Sequence, residues 1–237
     1  MQIKVAITKI DKHGSVNSGD TVEITERPNG GISIVMADGF SVQGDNKAVS
    51  TLVGHRVINY ISSGMRDSAS IRQAGNQIFT EHEGAIQANL WVVSVDLQTN
   101  TIILSRSNPI PVFLISEEKV DCLFSDSEPI GKRLEVNPTI IELPIRTEMT
   151  VVVFSDGVYY AGQQAQQSME ICTTLEAFVE EQEPTAKEIA EFLLNRAIRL
   201  DNDRPQDDMS VIVLQTSSRP TDTIRRMSIS LPLDPAG

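Results

Sequence analysis

The order of strand-like and helix-like stretches leaves this chain few folds to choose from. Ile3, Val5 and Ile7 alternate with Lys4, Ala6 and Thr8, the period of a strand over residues 3–10. Residues 21–37, TVEITERPNGGISIVMA, read as a hairpin whose turn, PNGG, holds residues that tolerate positive φ. Two helical patterns follow, over 44–65 and 67–82, broken near Gly64. Strand-like stretches then run without a helix between them: 85–97, 101–107, 111–116, 119–124, 139–145 and 150–156. The last two are expected to pair around RTEM at 146–149. Residues 184–200 form a helix with the capping-box spacing Thr185–Glu188 and an apolar face of Ile189, Phe192, Leu193, Ala197 and Leu200. Residues 207–216 make a closing strand. This is not the βαβα alternation of a parallel sheet. It predicts an α+β fold, two antiparallel sheets packed as a sandwich with helices outside. With no repeat and no linker, residues 1–216 read as one domain and 217–237 as a tail.

Charge and composition narrow the function. The formal net charge is −12, which argues against nucleic acid, since phosphate neutralisation needs a basic surface. No apolar stretch approaches the ~20 residues of a membrane span, and the N-terminus lacks a signal-peptide layout, so a cytoplasmic protein without membrane contact is expected. Cys122 and Cys172 form no Cys-x-x-Cys pair and no cysteine-phosphatase loop, and two thiols are no disulfide framework. His13, His55 and His82 have no metal-ligand spacing.

The unusual feature is acidic. The apolar run SIVMA leads into Asp38-Gly39, and VVVFS leads into Asp156-Gly157. Asp20 precedes the first hairpin strand, in NSGD, and Asp207-Asp208 precede the last strand. Taken singly, each Asp-Gly reads first as a turn. Together, acids at the ends of several strands can converge on one edge of a sandwich. Carboxylates so gathered repel and raise each other's pKa. A hard divalent cation removes the conflict, because Mg²⁺ and Mn²⁺ take oxygen ligands. A glycine after the acid lets the backbone turn sharply and present its carbonyl.

In order and spacing, NSGD, VMADG, FSDGV and DDMSVIV resemble the metal-dependent serine/threonine protein phosphatases of type 2C, in the bacterial SpoIIE-like branch that includes the RsbX kind. SRSNPIPVFLI and SEPIG resemble further segments, and the likeness covers residues 1–216. The resemblance implies a four-layer αββα sandwich and two Mn²⁺ or Mg²⁺ ions. Asp38 would bridge the ions and the Gly39 carbonyl would bind one of them. Asp156 and Asp207 would hold the other, and Asp20 would contact the ions directly or through water. Asp208 stands where many relatives have asparagine and is assigned a supporting role behind the ligands. The implied reaction is hydrolysis of phosphoserine or phosphothreonine by a metal-activated water, on a regulatory protein of the STAS anti-anti-sigma or stressosome type.

Departures qualify the resemblance. Relatives follow the first Asp-Gly with Gly-His-Gly or similar small residues, whereas here FSVQG follows, without the histidine proposed elsewhere as general acid. No basic phosphate clamp stands out, and Arg56, Arg66, Arg106 and Arg204 are only candidates. Asp67 reads either as a remote ligand or as a helix-start cap. These departures motivate a second reading, a phosphatase-like module that binds a partner with little or no turnover. A receiver-type phosphoacceptor is disfavoured by the lack of a parallel alternating sheet.

Overall fold

The computed structural model describes residues 1–15, 18–42, 44–116, 119–124, 126–218 and 224–230. Ten strands form two antiparallel sheets. The first has the order β1 (Gln2–Ile10), β10 (Met209–Ser217), β9 (Met149–Phe154), β6 (Val112–Ser116), β7 (Lys119–Leu123). The second has the order β2 (Asp20–Glu26), β3 (Gly31–Ser41), β4 (Ile86–Asp96), β5 (Thr101–Ser107), β8 (Thr139–Pro144). Helices α1 (Asn46–Ser62) and α2 (Asp67–His82) cover the second sheet. A one-turn helix, α3 (Asp156–Tyr159), follows β9, and α4 (Ile171–Gln182) and α5 (Ala186–Leu200) cover the first sheet. This is the expected sandwich flanked by helices.

Burial on both faces explains the apolar runs. In β3, Ile34 and Met36 enter the core between the sheets, while Val35 and Ala37 enter the core beneath α1 and α2. In β4, Trp91 and Val93 point one way and Leu90 and Val92 the other. β9 is buried at all six positions. Gly64, at φ +96°, breaks the chain between α1 and α2, and the Thr185–Glu188 capping box opens α5 as expected.

Three expectations are corrected. Residues 139–145 and 150–156 do not pair with each other. β8 joins β5, whereas β9 joins β6 and β10. A strand buried at every position needs neighbours on both sides, and β8, alternating half-buried with exposed, is an edge strand. RTEM therefore carries the chain from one sheet to the other. Second, the expected order lacks α4, which packs through Ile171 and Leu175 and through Phe178 stacked on Phe192 of α5, ring centroids 4.0 Å apart. Third, Asp38 does not lie at a strand end and Asp156 does not lie in a strand. β3 continues through Asp38 and Gly39 to Ser41, and Asp156 opens α3 after β9 has ended.

In the C-terminal segment, residues 224–230 have no regular structure and are exposed, with Arg225 Nη1 3.2 Å from Glu26 Oε1. No helix among the described residues is long and apolar enough to cross a membrane.

Candidate metal centre

Antiparallel register builds the first half of the site. Asp20 of β2 lies opposite Asp38 of β3, and Asp38 lies opposite Asn89 of β4. Register partners point to the same face, and Asp38 shares the face of Ile34 and Met36, between the sheets. The three polar side chains thus form a row across neighbouring strands at one end of the inter-sheet core. Asn89 Nδ2 donates to Asp38 Oδ2 at 3.0 Å, and Ser210 Oγ of β10 donates to Asp20 Oδ2 at 2.6 Å. The second bond ties the two sheets together at the site.

The first sheet supplies the rest. Asp156 follows β9, and Asp207 and Asp208 precede β10, the neighbouring strand. The Asp208 carboxylate is engaged by backbone, with the N–H of Lys12 donating to Oδ1 at 3.0 Å and that of Gly19 to Oδ2 at 2.8 Å. It fastens the loop that leads into Asp20. Ser155 Oγ donates to the Asp208 carbonyl at 3.2 Å and accepts the Ser210 N–H at 2.9 Å. Asp207 accepts the Asp208 N–H at 2.9 Å and is exposed.

The glycines serve close approach rather than turning. A Cβ on Gly39 would lie 2.5 Å from the Ser50 nitrogen and 2.6 Å from the Asn46 carbonyl oxygen, so only glycine lets α1 pack there. A Cβ on Gly157 would lie 2.2 Å from the Asp208 carbonyl oxygen, so only glycine lets the acidic segment cross behind Asp156.

Electrostatics follow from this crowding. Asp38 is pushed up to about 8, first by burial, then by the charges of Asp156 and Asp20, against the pull of Asn89. Asp20, 1% exposed, is pushed up to about 7 by burial, against the Ser210 bond. Asp156 is pushed up to about 6 by burial and then by Asp207. Three acids that resist ionisation, each held up partly by a neighbouring carboxylate, are what a site lacking compensating positive charge produces. The donor set is all oxygen, which fits Mg²⁺ or Mn²⁺. Among the described residues the side chains do not close into a cage of three or more ligands, and Mg²⁺, which keeps several waters, does not require one.

A cavity of about 290 Å³ opens beside Asp207 and Asp208, lined also by Gly19, Lys47 and Lys12. None of the four candidate arginines lines it. Arg56 pairs with Glu81, Arg106 bonds the carbonyls of Ile110 and Leu123, Arg66 precedes α2, and Arg204 lies exposed in the turn after α5. Asp67 is neither ligand nor cap. It opens α2 and pairs with Arg27 at 2.7 Å, together with Ser33 and Ser94. Asn17 of NSGD and Gln43 of FSVQG lie outside the described residues. Asn89 and Lys47 carry no motif signal and only strand register and packing reveal them, while Ser210 lies inside DDMSVIV but is not among the expected site residues.

The family model for stage II sporulation protein E (SpoIIE) matches residues 28–217. The chain belongs to the SpoIIE family. This family member is 21% identical over 212 residues to stage II sporulation protein E of Priestia megaterium, covering 89% of the chain but 36% of the relative, so it spans about a third of that protein's length. Among solved structures it resembles the PP2C phosphatase domain of Bacillus subtilis SpoIIE with a regulatory fragment, at TM-score 0.76, 18% identity, 91% of this chain and 63% of that one. It also resembles the catalytic domain of the serine/threonine protein phosphatase PstP in complex with two manganese ions, at TM-score 0.69, 17% identity, 91% of this chain and 99% of that one. The SpoIIE-family chain therefore has the PP2C phosphatase fold.

Proposed function

We propose that this chain is a metal-dependent protein phosphatase that hydrolyses phosphoserine or phosphothreonine on a regulatory protein. The observation that carries the reading is the convergence of Asp20 and Asp38, side by side on the second sheet, with Asp156 and Asp207 from the first. Asp38, the Gly39 carbonyl, Asp156, Asp207 and Asp20 would hold a pair of Mn²⁺ or Mg²⁺ ions. Such ions, when bound, would supply a water of lowered pKa, a nucleophile able to act at neutral pH. The chain's own residues do the positioning. Asn89 orients the Asp38 carboxylate, Ser210 orients that of Asp20, and Asp208 pins the loop ahead of Asp20. Loss of such supporting bonds typically costs about 10–100-fold in metal affinity. The substrates of this branch, STAS-type or stressosome regulators, set the expected substrate class.

The test is hydrolysis of p-nitrophenyl phosphate with Mn²⁺, with Mg²⁺ and with EDTA, beside Asp38→Asn. Metal-dependent turnover lost in the variant supports the reading. Val42, 90% exposed just after Asp38-Gly39, motivates the second reading, a binding module without turnover. That reading requires partner capture to survive Asp38→Asn, with no hydrolysis by the wild type.

A further inference from the structure

The acidic site also has a basic wall. Lys47, in the first turn of α1, lines the same cavity as Asp207 and Asp208, and Lys12 lines it from the loop after β1. The Lys47 ammonium is held in place, donating to the Asp20 carbonyl oxygen at 2.8 Å and to Thr21 Oγ1 at 2.8 Å. The same carbonyl accepts Lys9 Nζ at 2.9 Å. Two ammonium groups thus converge on one oxygen beside a cluster of acids. An ammonium has three donors, and these two bonds leave Lys47 one more. Its chain, half-buried along α1, restricts where that donor can point.

A phosphoryl group needs positive charge on the side away from the carboxylates, and the arginines are engaged or placed elsewhere. We infer that Lys47, fixed by the Asp20 carbonyl and Thr21, binds the phosphoryl oxygens of the substrate, with Lys12 lining the same cavity. This rests on the phosphatase reading and adds the group that takes the substrate's charge. Lys47 contacts the phosphoryl group directly, and Lys9, a like charge on the same carbonyl, adds to the positive field there. The contact exists in bound substrate and transition state alike, so its loss appears in KM more than in kcat.

The experiment compares wild type, Lys47→Gln, Lys47→Arg and Lys12→Gln. One measurement is p-nitrophenyl phosphate kinetics in Mn²⁺ at low and high salt. The other is inorganic phosphate binding by calorimetry in Mg²⁺. Glutamine keeps hydrogen-bond donors but removes the charge, so thermal denaturation of each variant separates misfolding from lost binding. Lys47→Gln is expected to raise KM and weaken phosphate binding by about tenfold or more, the scale of a hydrogen bond to a charged group. It should leave kcat within a few fold and flatten the salt dependence of KM, and Lys47→Arg should recover most of the loss. Lys12→Gln should show a smaller effect of the same kind. Wild-type turnover with KM, phosphate affinity and salt dependence unchanged in folded Lys47→Gln overturns the inference and leaves the phosphatase reading intact. Phosphate binding that depends on Lys47 without any turnover supports the inference while the phosphatase reading falls. A wild type that neither turns over nor binds phosphate overturns both.

Discussion

The two Asp-Gly corners look alike in sequence and are built differently. Asp38-Gly39 lies inside a central strand, its acid on the inter-sheet face and its glycine against α1. Asp156-Gly157 lies past a strand end, its acid opening a one-turn helix and its glycine against the Asp208 backbone. In the first corner the ladder fixes the acid, because β2 and β4 hold β3 on either side. In the second a crossing loop fixes it, and the loop is secured by the carboxylate of Asp208. The same dipeptide thus reaches one site by two mechanical routes. In both, the glycine is needed because a methyl group would collide with backbone, not because the chain turns.

The largest effects should come from the glycines. Gly39→Ala drives a methyl into the first turn of α1, an overpacking cost of about 1–3 kcal/mol or more, and should lower Tm by many degrees. Gly157→Ala pushes on the Asp207–Asp208 segment instead, so Mn²⁺ affinity should fall further than Tm. Equal effects of the two variants on both quantities would erase the proposed difference. Thermal denaturation and calorimetry measure both.

Next in size is the pH dependence of the metal-free protein. A carboxyl raised above its unfolded pKa stabilises the fold below that unfolded value, near 4, and the contribution is lost as pH rises through the folded pKa. In EDTA, stability should therefore fall from about pH 4 upward, a decline extending to about 8 for Asp38 and to about 6 for Asp156. Asp38→Asn should remove the part of the decline near pH 8, leaving that of Asp20 to about 7, whereas Asp156→Asn should flatten the lower part and, by removing a charge that raises Asp38, shift the upper part to lower pH. Denaturant midpoints across that range check it, and saturating Mn²⁺ should reverse the slope in the wild type.

Smaller effects separate the supports of the two corners. Asn89→Ala removes the hydrogen bond that favours ionised Asp38 and should weaken Mn²⁺ binding by about tenfold. Ser155→Ala removes the hydroxyl between Asp208 and Ser210 and should cost about 1 kcal/mol of stability, with a lesser loss of metal affinity.

Much of this was legible in the sequence. The order of strands and helices gave the sandwich, and the apolar runs gave strands buried on both faces. Asp20, Asp38, Asp156 and Asp207 could be picked out as acids flanking apolar runs, and the fold sets Asp20 opposite Asp38 with Asp156 and Asp207 near enough to act on it; that they bind metal is the proposal. The partner of β8 was not legible, because chain proximity across RTEM suggested a hairpin and only burial shows that β9 needs two neighbours. Asn89 was not legible, since its role depends on standing opposite Asp38 in a register set by the whole sheet. Lys47 was not legible either, because its ammonium finds Asp20 only once α1 has packed on Gly39.

The central claim is that both corners serve one cation site. It is tested most directly by calorimetric titration of Mn²⁺ into wild type, Asp38→Asn and Asp156→Asn, each at pH 6 and pH 8. The account predicts tighter binding at pH 8 in the wild type, as protons leave the raised carboxyls, and a loss of affinity of at least about tenfold in either variant alone. Wild-type affinity retained in both variants would contradict it.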